Sequence, residues 1–127
     1  MQTSSPNVKY YPSTGGYPFS EAVQVDHMLY LAGQIGTDAS GKVVPGGIGP
    51  ETTQTMENIK ALLAKIGSST ADIIDVTVAL ADISEWAPMN AIYQKYFTKH
   101  FPARNAFAAS GLALGARVEI TCKAILK

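Results

Sequence analysis

Only two stretches of this chain carry the apolar spacing of an amphipathic helix, while six read as strands. Two helices can cover one face of a sheet of five or six strands, not both. Whatever the chain folds into, one sheet face needs another partner. The predicted order is β, β, β, α, β, α, β, β. Strands are expected at residues 8–11, 22–25, 28–34, 73–81, 104–109 and 117–125. Asp26-His27 would join the second and third as a hairpin, although the pair is not a favoured turn. Residues 36–49 hold five glycines and a proline and form a long loop, a kind often used for function.

The first helix is the clearest element. Gly49 can cap it, Pro50 suits the first helical position, and Glu51 favours the positive end of the helix dipole. Met56, Ile59, Leu62, Leu63 and Ile66 form one apolar stripe. Lys65 lies in the last turn, and Gly67 is the natural stop. The second helix has Ser84 as candidate cap and Pro88 in its first turn. Its buried stripe would be Trp86, Met89, Tyr93 and Phe97. Along the fourth strand Ile74, Val76, Val78 and Leu80 share one face. Val118, Ile120, Cys122 and Ala124 would lie beneath the helices. Thr77, Ala79, Ala106, Ala108, Glu119 and Thr121 would line the open face, which suits packing against another subunit.

Composition narrows the reading. The 127 residues are 46% hydrophobic and 16% charged, which excludes a disordered chain and fits one domain over residues 1–127. Ten Lys and Arg balance ten Asp and Glu, so nucleic-acid binding through bulk charge is not expected and self-association is eased. The lone Cys122 excludes an intrachain disulfide. Residues 1–11 show no leader, and no run approaches the roughly 20 apolar residues that cross a bilayer. A soluble cytoplasmic protein is expected.

Five residues near the C-terminal half, Lys95, Lys99, His100, Arg104 and Arg117, make a locally cationic region. The two lysines suit an exposed helix end. Arg104 opens a strand of small residues. It could clamp a carboxylate with two parallel bonds or form an ordinary surface ion pair. Glu119, between Val118 and Ile120, points away from them and is either solvated or functional. Gly33 inside a strand marks a bulge or a close approach to the backbone. His27, His100 and Cys122 have no metal-ligand spacing, so no metal site is expected.

The segment Arg104-Asn105-Ala106-Phe107-Ala108-Ala109-Ser110-Gly111-Leu112-Ala113-Leu114-Gly115-Ala116-Arg117-Val118-Glu119-Ile120 resembles the C-terminal signature of the RidA family, also called the YjgF family. Pro18-Phe19-Ser20-Glu21-Ala22, Ala32-Gly33-Gln34-Ile35, Asn90-Ala91-Ile92-Tyr93 and Phe101-Pro102-Ala103-Arg104 agree with it. The resemblance implies an α+β, chorismate-mutase-like single domain with two helices on one face of a mixed sheet. It also implies a homotrimer with a central β-barrel and clefts between subunits. The implied activity is hydrolysis of reactive enamines and imines, such as 2-aminoacrylate and 2-iminopropanoate, to 2-keto acids and ammonia, without a cofactor. Arg104 would clamp the substrate carboxylate, and Glu119 would activate water. Gly33 and Ala106 would offer backbone groups, Asn90 would support the site, and Phe19 would stand at its entrance. Three positions depart from the family pattern: Ala106 where Cys is frequent, Phe19 where Tyr is frequent, and Thr121 where a second acid is common. A non-catalytic trimer that binds small carboxylates, or acts as a chaperone, is the first alternative. A ribonuclease is the second, and the neutral charge weighs against it.

Overall fold

The computed structural model describes residues 5–127; residues 1–4, the start of the segment expected to carry no leader, lie outside the described residues. Six strands form one mixed sheet in the order β1-β2-β3-β6-β4-β5. They are β1 (Val8–Pro12), β2 (Ser20–Val25), β3 (Met28–Leu31), β4 (Ile73–Leu80), β5 (Ala103–Ala108) and β6 (Val118–Ile125). Neighbours run antiparallel except β4 and β5. The helices are α1 (Ile48–Ile66) and α2 (Trp86–Tyr93), so the expected α+β order holds. Among the described residues no helix is long and apolar enough to cross a membrane.

Val25 pairs with Met28, so Asp26 and His27 do make a two-residue turn. Asp26 takes a left-handed φ of 51°, which Asp tolerates better than most residues. Its amide donates to Asn7 O at 2.9 Å and its Oδ1 accepts from Asn7 N at 3.0 Å, which ties the start of β1 to an otherwise unfavoured turn.

The helix α1 starts two residues before the expected point. Gly47, at φ 91°, is the cap in place of Gly49, and Pro50 is third in the helix rather than first. Its missing N–H still has no helical partner to lose, and Glu51 N donates to Gly47 O at 3.1 Å. Met56, Ile59, Leu62 and Leu63 are buried, with Ile66 packed at the margin. Gly67 ends the helix at φ 105°, and its amide and that of Ser68 satisfy the last carbonyls.

Two corrections concern β4 and α2. Ile73 pairs with Ala124 and Asp75 with Lys123, so a bulge inserts one extra residue and turns Ile74 outward. Ile73 fills the core position expected for Ile74. Ser84 does not cap α2, whose N-cap is Glu85 with no side-chain bond; the capping side chain here is Asp82, at the start of the 3₁₀ turn before α2. Asp82 Oδ1 accepts from the Ser84 amide at 2.9 Å and its hydroxyl at 2.8 Å, which holds the Asp82 carboxyl below its usual range. One 3₁₀ turn, Ile83–Glu85, precedes α2. Met89, Tyr93 and Phe97 are buried as expected, but Trp86 is 44% exposed.

Both helices lie on one side of the sheet, over Val76, Val78, Leu80, Val118, Ile120, Cys122 and Ala124. Burial of each such aliphatic side chain contributes about 1.5–3 kcal/mol relative to exposure. The open face carries Thr77, Ala79, Glu119 and Thr121 as expected. Ala106 and Ala108 do not join them. Val78 pairs with Ala106 and Leu80 with Ala108, which sets both alanines on the helix side. Asn105 and the 49% exposed Phe107 occupy the open face instead.

Candidate active site

The residues singled out in the sequence fall into two groups, one on each side of the sheet. Arg104 pairs with Val76 and therefore points to the helix side. There Nη1 donates to Asn90 Oδ1 at 2.6 Å, a charge-assisted bond from the second helix. The guanidinium carbon sits 4.8 Å from the Tyr93 ring centroid and 5.7 Å from that of Trp86. One amide oxygen and two aromatic rings thus hold the cation, which leaves the rest of its donors available. Burial pushes the Tyr93 hydroxyl up to about 12 against the opposing pull of Arg104, so it stays neutral beside the cation. A depression of about 260 Å³ opens here, lined by Asn90, Tyr93, Gln94, Phe101, Pro102 and Arg104.

The strand β5 is a sheet edge. Ala109 N donates to Leu80 O at 2.8 Å, so by strand alternation Arg104, Ala106 and Ala108 turn their backbone N–H and C=O toward the free edge. Ala106 thereby offers backbone groups beside the Arg104 side chain.

Glu119 pairs with Ala79 on the open face. Tyr30 pairs with Lys123 and Gln34 with Ile120, so four steps on one side oppose three on the other. The extra residue falls at Ala32-Gly33, where the expected strand over residues 28–34 is interrupted after Leu31. A Cβ added to Gly33 would sit 2.5 Å from Glu119 Oε2 and 3.1 Å from Thr121 Oγ1. The carboxylate therefore lies directly over bare backbone, the close approach that a glycine in a strand signals. A second cavity, of about 600 Å³, holds Glu119, Gly33, Gln34 and Phe19.

Arg104, Asn90 and Ala106 thus form one half, and Glu119, Gly33 and Phe19 the other, with the sheet between them. Arg117 and His100 are engaged elsewhere. Arg117 pairs with Glu85 at 3.1 Å and lies 3.7 Å from Glu51, and His100 Nε2 is 3.0 Å from Ala71 O. Among the described residues no cluster of three or more His, Cys, Asp or Glu could hold a metal. Cys122 is buried, and its thiol is pushed up to about 12, chiefly by that burial.

Sequence reasoning missed the aromatic seat of Arg104 and two wall residues of the larger cavity, Tyr17 and Leu114. A signal for the seat exists. Trp86, Asn90 and Tyr93 stand four and three residues apart, which puts them on one helix face.

A sheet of six strands backed by two helices on one side, with a seated arginine at its edge and a glutamate over a glycine, has close parallels among known proteins. The chain matches the family model for endoribonuclease L-PSP over residues 13–126. It belongs to that family, which includes the YjgF and RidA proteins. It is 42% identical over 109 residues to a 2-iminobutanoate/2-iminopropanoate deaminase of Bos taurus, spanning 85% of this chain and 80% of that one. The crystal structure of a yeast protein, YEO7, superposes with a TM-score of 0.88 at 32% identity, covering 95% of this chain and all of that one. E. coli TdcF with bound serine superposes with a TM-score of 0.82 at 25% identity, covering 87% and 90%.

Proposed function

We propose that this chain is a deaminase that hydrolyses small reactive 2-imino acids and their enamine tautomers, and that its site closes only between copies. The observation that carries the reading is the presence in one chain of a fixed guanidinium and of a carboxylate set over bare backbone. It occurs in a chain similar to a deaminase of 2-iminobutanoate and 2-iminopropanoate. The two groups lie on opposite sides of one sheet, so a single copy cannot bring both to one small molecule. The open face offers the means of joining copies, with Tyr30 and Phe107 exposed on it. Packing of open faces around a three-fold axis into a central barrel would set the β5 edge of one copy beside the Glu119 cavity of the next. Closed homo-oligomers of this kind use one repeated contact. The proposed assembly is thus a homotrimer.

The chemistry then follows from the two halves. Arg104 binds the substrate carboxylate through parallel N–H bonds, oriented by Asn90 and the rings of Tyr93 and Trp86. The backbone N–H and C=O of Ala106 and the edge at Gly33 hold the imine end and the water. Glu119 takes a proton from the water as its oxygen attacks the imine carbon, and the C=N bond becomes C–N. Glu119 returns that proton to the nitrogen; the hydroxyl of the adduct then gives its own proton to the same nitrogen as its oxygen forms C=O, the C–N bond breaks, and ammonia leaves the 2-keto acid. Phe19 walls the cavity without a hydroxyl, so the aromatic ring contributes packing rather than a hydrogen bond. No step calls for a cofactor. The buried lone thiol suits a reducing setting, and we place the activity in the cytoplasm.

The serine-bound TdcF structure favours a second reading, a binder of small carboxylates without turnover. One experiment separates the two. Imines generated in situ would be mixed with wild-type chain, Arg104→Ala, Glu119→Gln, and both variants unfolded and refolded together. Each variant alone should lose at least a hundredfold in kcat/KM. The refolded mixture should recover about a quarter of the wild-type rate, because each mixed ring of three keeps one intact site. Wild-type turnover no faster than background would leave the binder. Inactive variants that do not complement would sink the shared site.

A further inference from the structure

The Glu119 cavity, about 600 Å³ before a second copy closes it, carries an apolar wall for which a three-carbon imino acid has no matching group. Its polar lining includes Glu119, Glu21, Gln34 and the backbone at Gly33. Its mouth is formed by Tyr17, Phe19 and Leu114, exposed by 56%, 52% and 66%. Three large apolar side chains held half in water around one cavity mark a surface meant to be covered.

The wall is built, not incidental. The Tyr17 and Phe19 rings stack with centroids 5.5 Å apart and planes within 9°. A Cβ on Gly15 would fall 2.5 Å from Tyr17 Cε2, so the ring is laid against bare backbone. The Tyr17 amide donates to Ser13 Oγ at 2.9 Å and fixes the loop that carries it. Leu114, which lines the same cavity, sits at φ 57°, ψ 23°, the left-handed region that suits glycine and disfavours a leucine. Gly115 follows at φ 69°. The turn keeps an exposed leucine where glycine would be relaxed, and strain of this kind is retained at sites that use the side chain.

We infer that Tyr17, Phe19 and Leu114 form a subsite for an apolar substrate side chain, so that the chain prefers 2-imino acids bearing a branched aliphatic or aromatic group over 2-iminopropanoate. With the carboxylate on Arg104 and the reacting carbon at Glu119, the substituent on that carbon is the part left to meet the mouth. This placement rests on the deaminase reading, and Leu114 is the specificity residue it assigns.

The test compares imines made in situ by an amino acid oxidase from leucine and from alanine, with wild type, Leu114→Gly and Leu114→Ala. Leu114→Gly also relieves the backbone, which protects folding. Wild type should favour the leucine-derived imine roughly tenfold in kcat/KM, as expected for a few added methylenes in an apolar pocket. Both variants should narrow that preference to below threefold, mainly through a higher KM for the larger imine. A wild-type ratio of one or less, or a ratio unmoved in both variants, overturns the subsite. If neither imine is hydrolysed above background, the deaminase reading fails by itself. Binding of the stable 2-keto acids by calorimetry then decides the subsite: 4-methyl-2-oxopentanoate must bind tighter than pyruvate, and equal affinity rejects it.

Discussion

Gly33 shows how much one residue type can carry. Its place in a strand pattern flags a bulge or a close approach, and the structure has both, with the carboxylate of Glu119 seated on its backbone. Gly33→Ala would force the carboxylate aside, since a Cβ at 2.5 Å is closer than real contacts allow. The expected result is a folded protein, by circular dichroism, with kcat/KM reduced at least tenfold. Retention of full activity would detach Glu119 from the reaction. Asn90 acts at the same scale through its 2.6 Å bond from Arg104. Hydrogen bonds to charged groups contribute about 1.5–3 kcal/mol. Asn90→Ala should therefore raise KM about tenfold or more while kcat falls less, because the guanidinium loses orientation rather than charge. Trp86, the single tryptophan, lies over that guanidinium, so its fluorescence should shift when a 2-keto acid binds wild type and shift less in the variant.

Elements join the site to the core. Glu51, in the first turn of α1 and 4% exposed, accepts from the Arg117 amide at 2.8 Å. It thereby fixes the segment between the Leu114 turn and β6. Glu51→Ala leaves that donor without its acceptor and removes a half-exposed ion pair with Arg117, for which about 1–3 kcal/mol is expected, chiefly from the lost hydrogen bond. Urea denaturation measures it, and a loss below 0.5 kcal/mol would show the segment to be held otherwise. Periodicity made α1 legible down to its C-terminal glycine, because a 3.6-residue stripe repeats over about three turns from Met56 to Ile66. It could not show the bulge at Ile74, which depends on the pairing of β4 with β6, while the Asp82 cap is a local contact with Ser84 that helical periodicity does not report. The facing of Arg104 relative to Glu119 was hidden because it depends on pairing between segments. Alternation within β5 and within β6 can be read from their residues. Which side of β5 matches which side of β6 is fixed only by the pairing of β4 with each. Small size suggested that Ala106 lay beside Thr77, whereas the register puts it beside Val78.

At the scale of the whole molecule, acid–base behaviour follows from burial. Cys122 has an ordinary value of 9.0 and is pushed to about 12, and Tyr93 rises from 10.0 to about 12. In both the folded chain holds a proton that the unfolded chain gives up sooner. Their contribution to stability is complete below pH 9 and is lost as pH rises from about 9 to 12. Thermal midpoints should be flat up to pH 9 as far as these groups go and then fall. The Cys122 thiol should resist alkylation at pH 8 in the folded chain and react once it is unfolded; rapid labelling of the native protein would contradict the burial.

Under the proposed reading, a chain that carries its cation on one side of a sheet and its acid on the other works only among its own kind. Scarcity would then act as a switch. As the chain is diluted below the concentration at which copies hold together, turnover per chain should collapse with the assembly, although every fold remains intact. Expression level, rather than any effector, would set the threshold for activity.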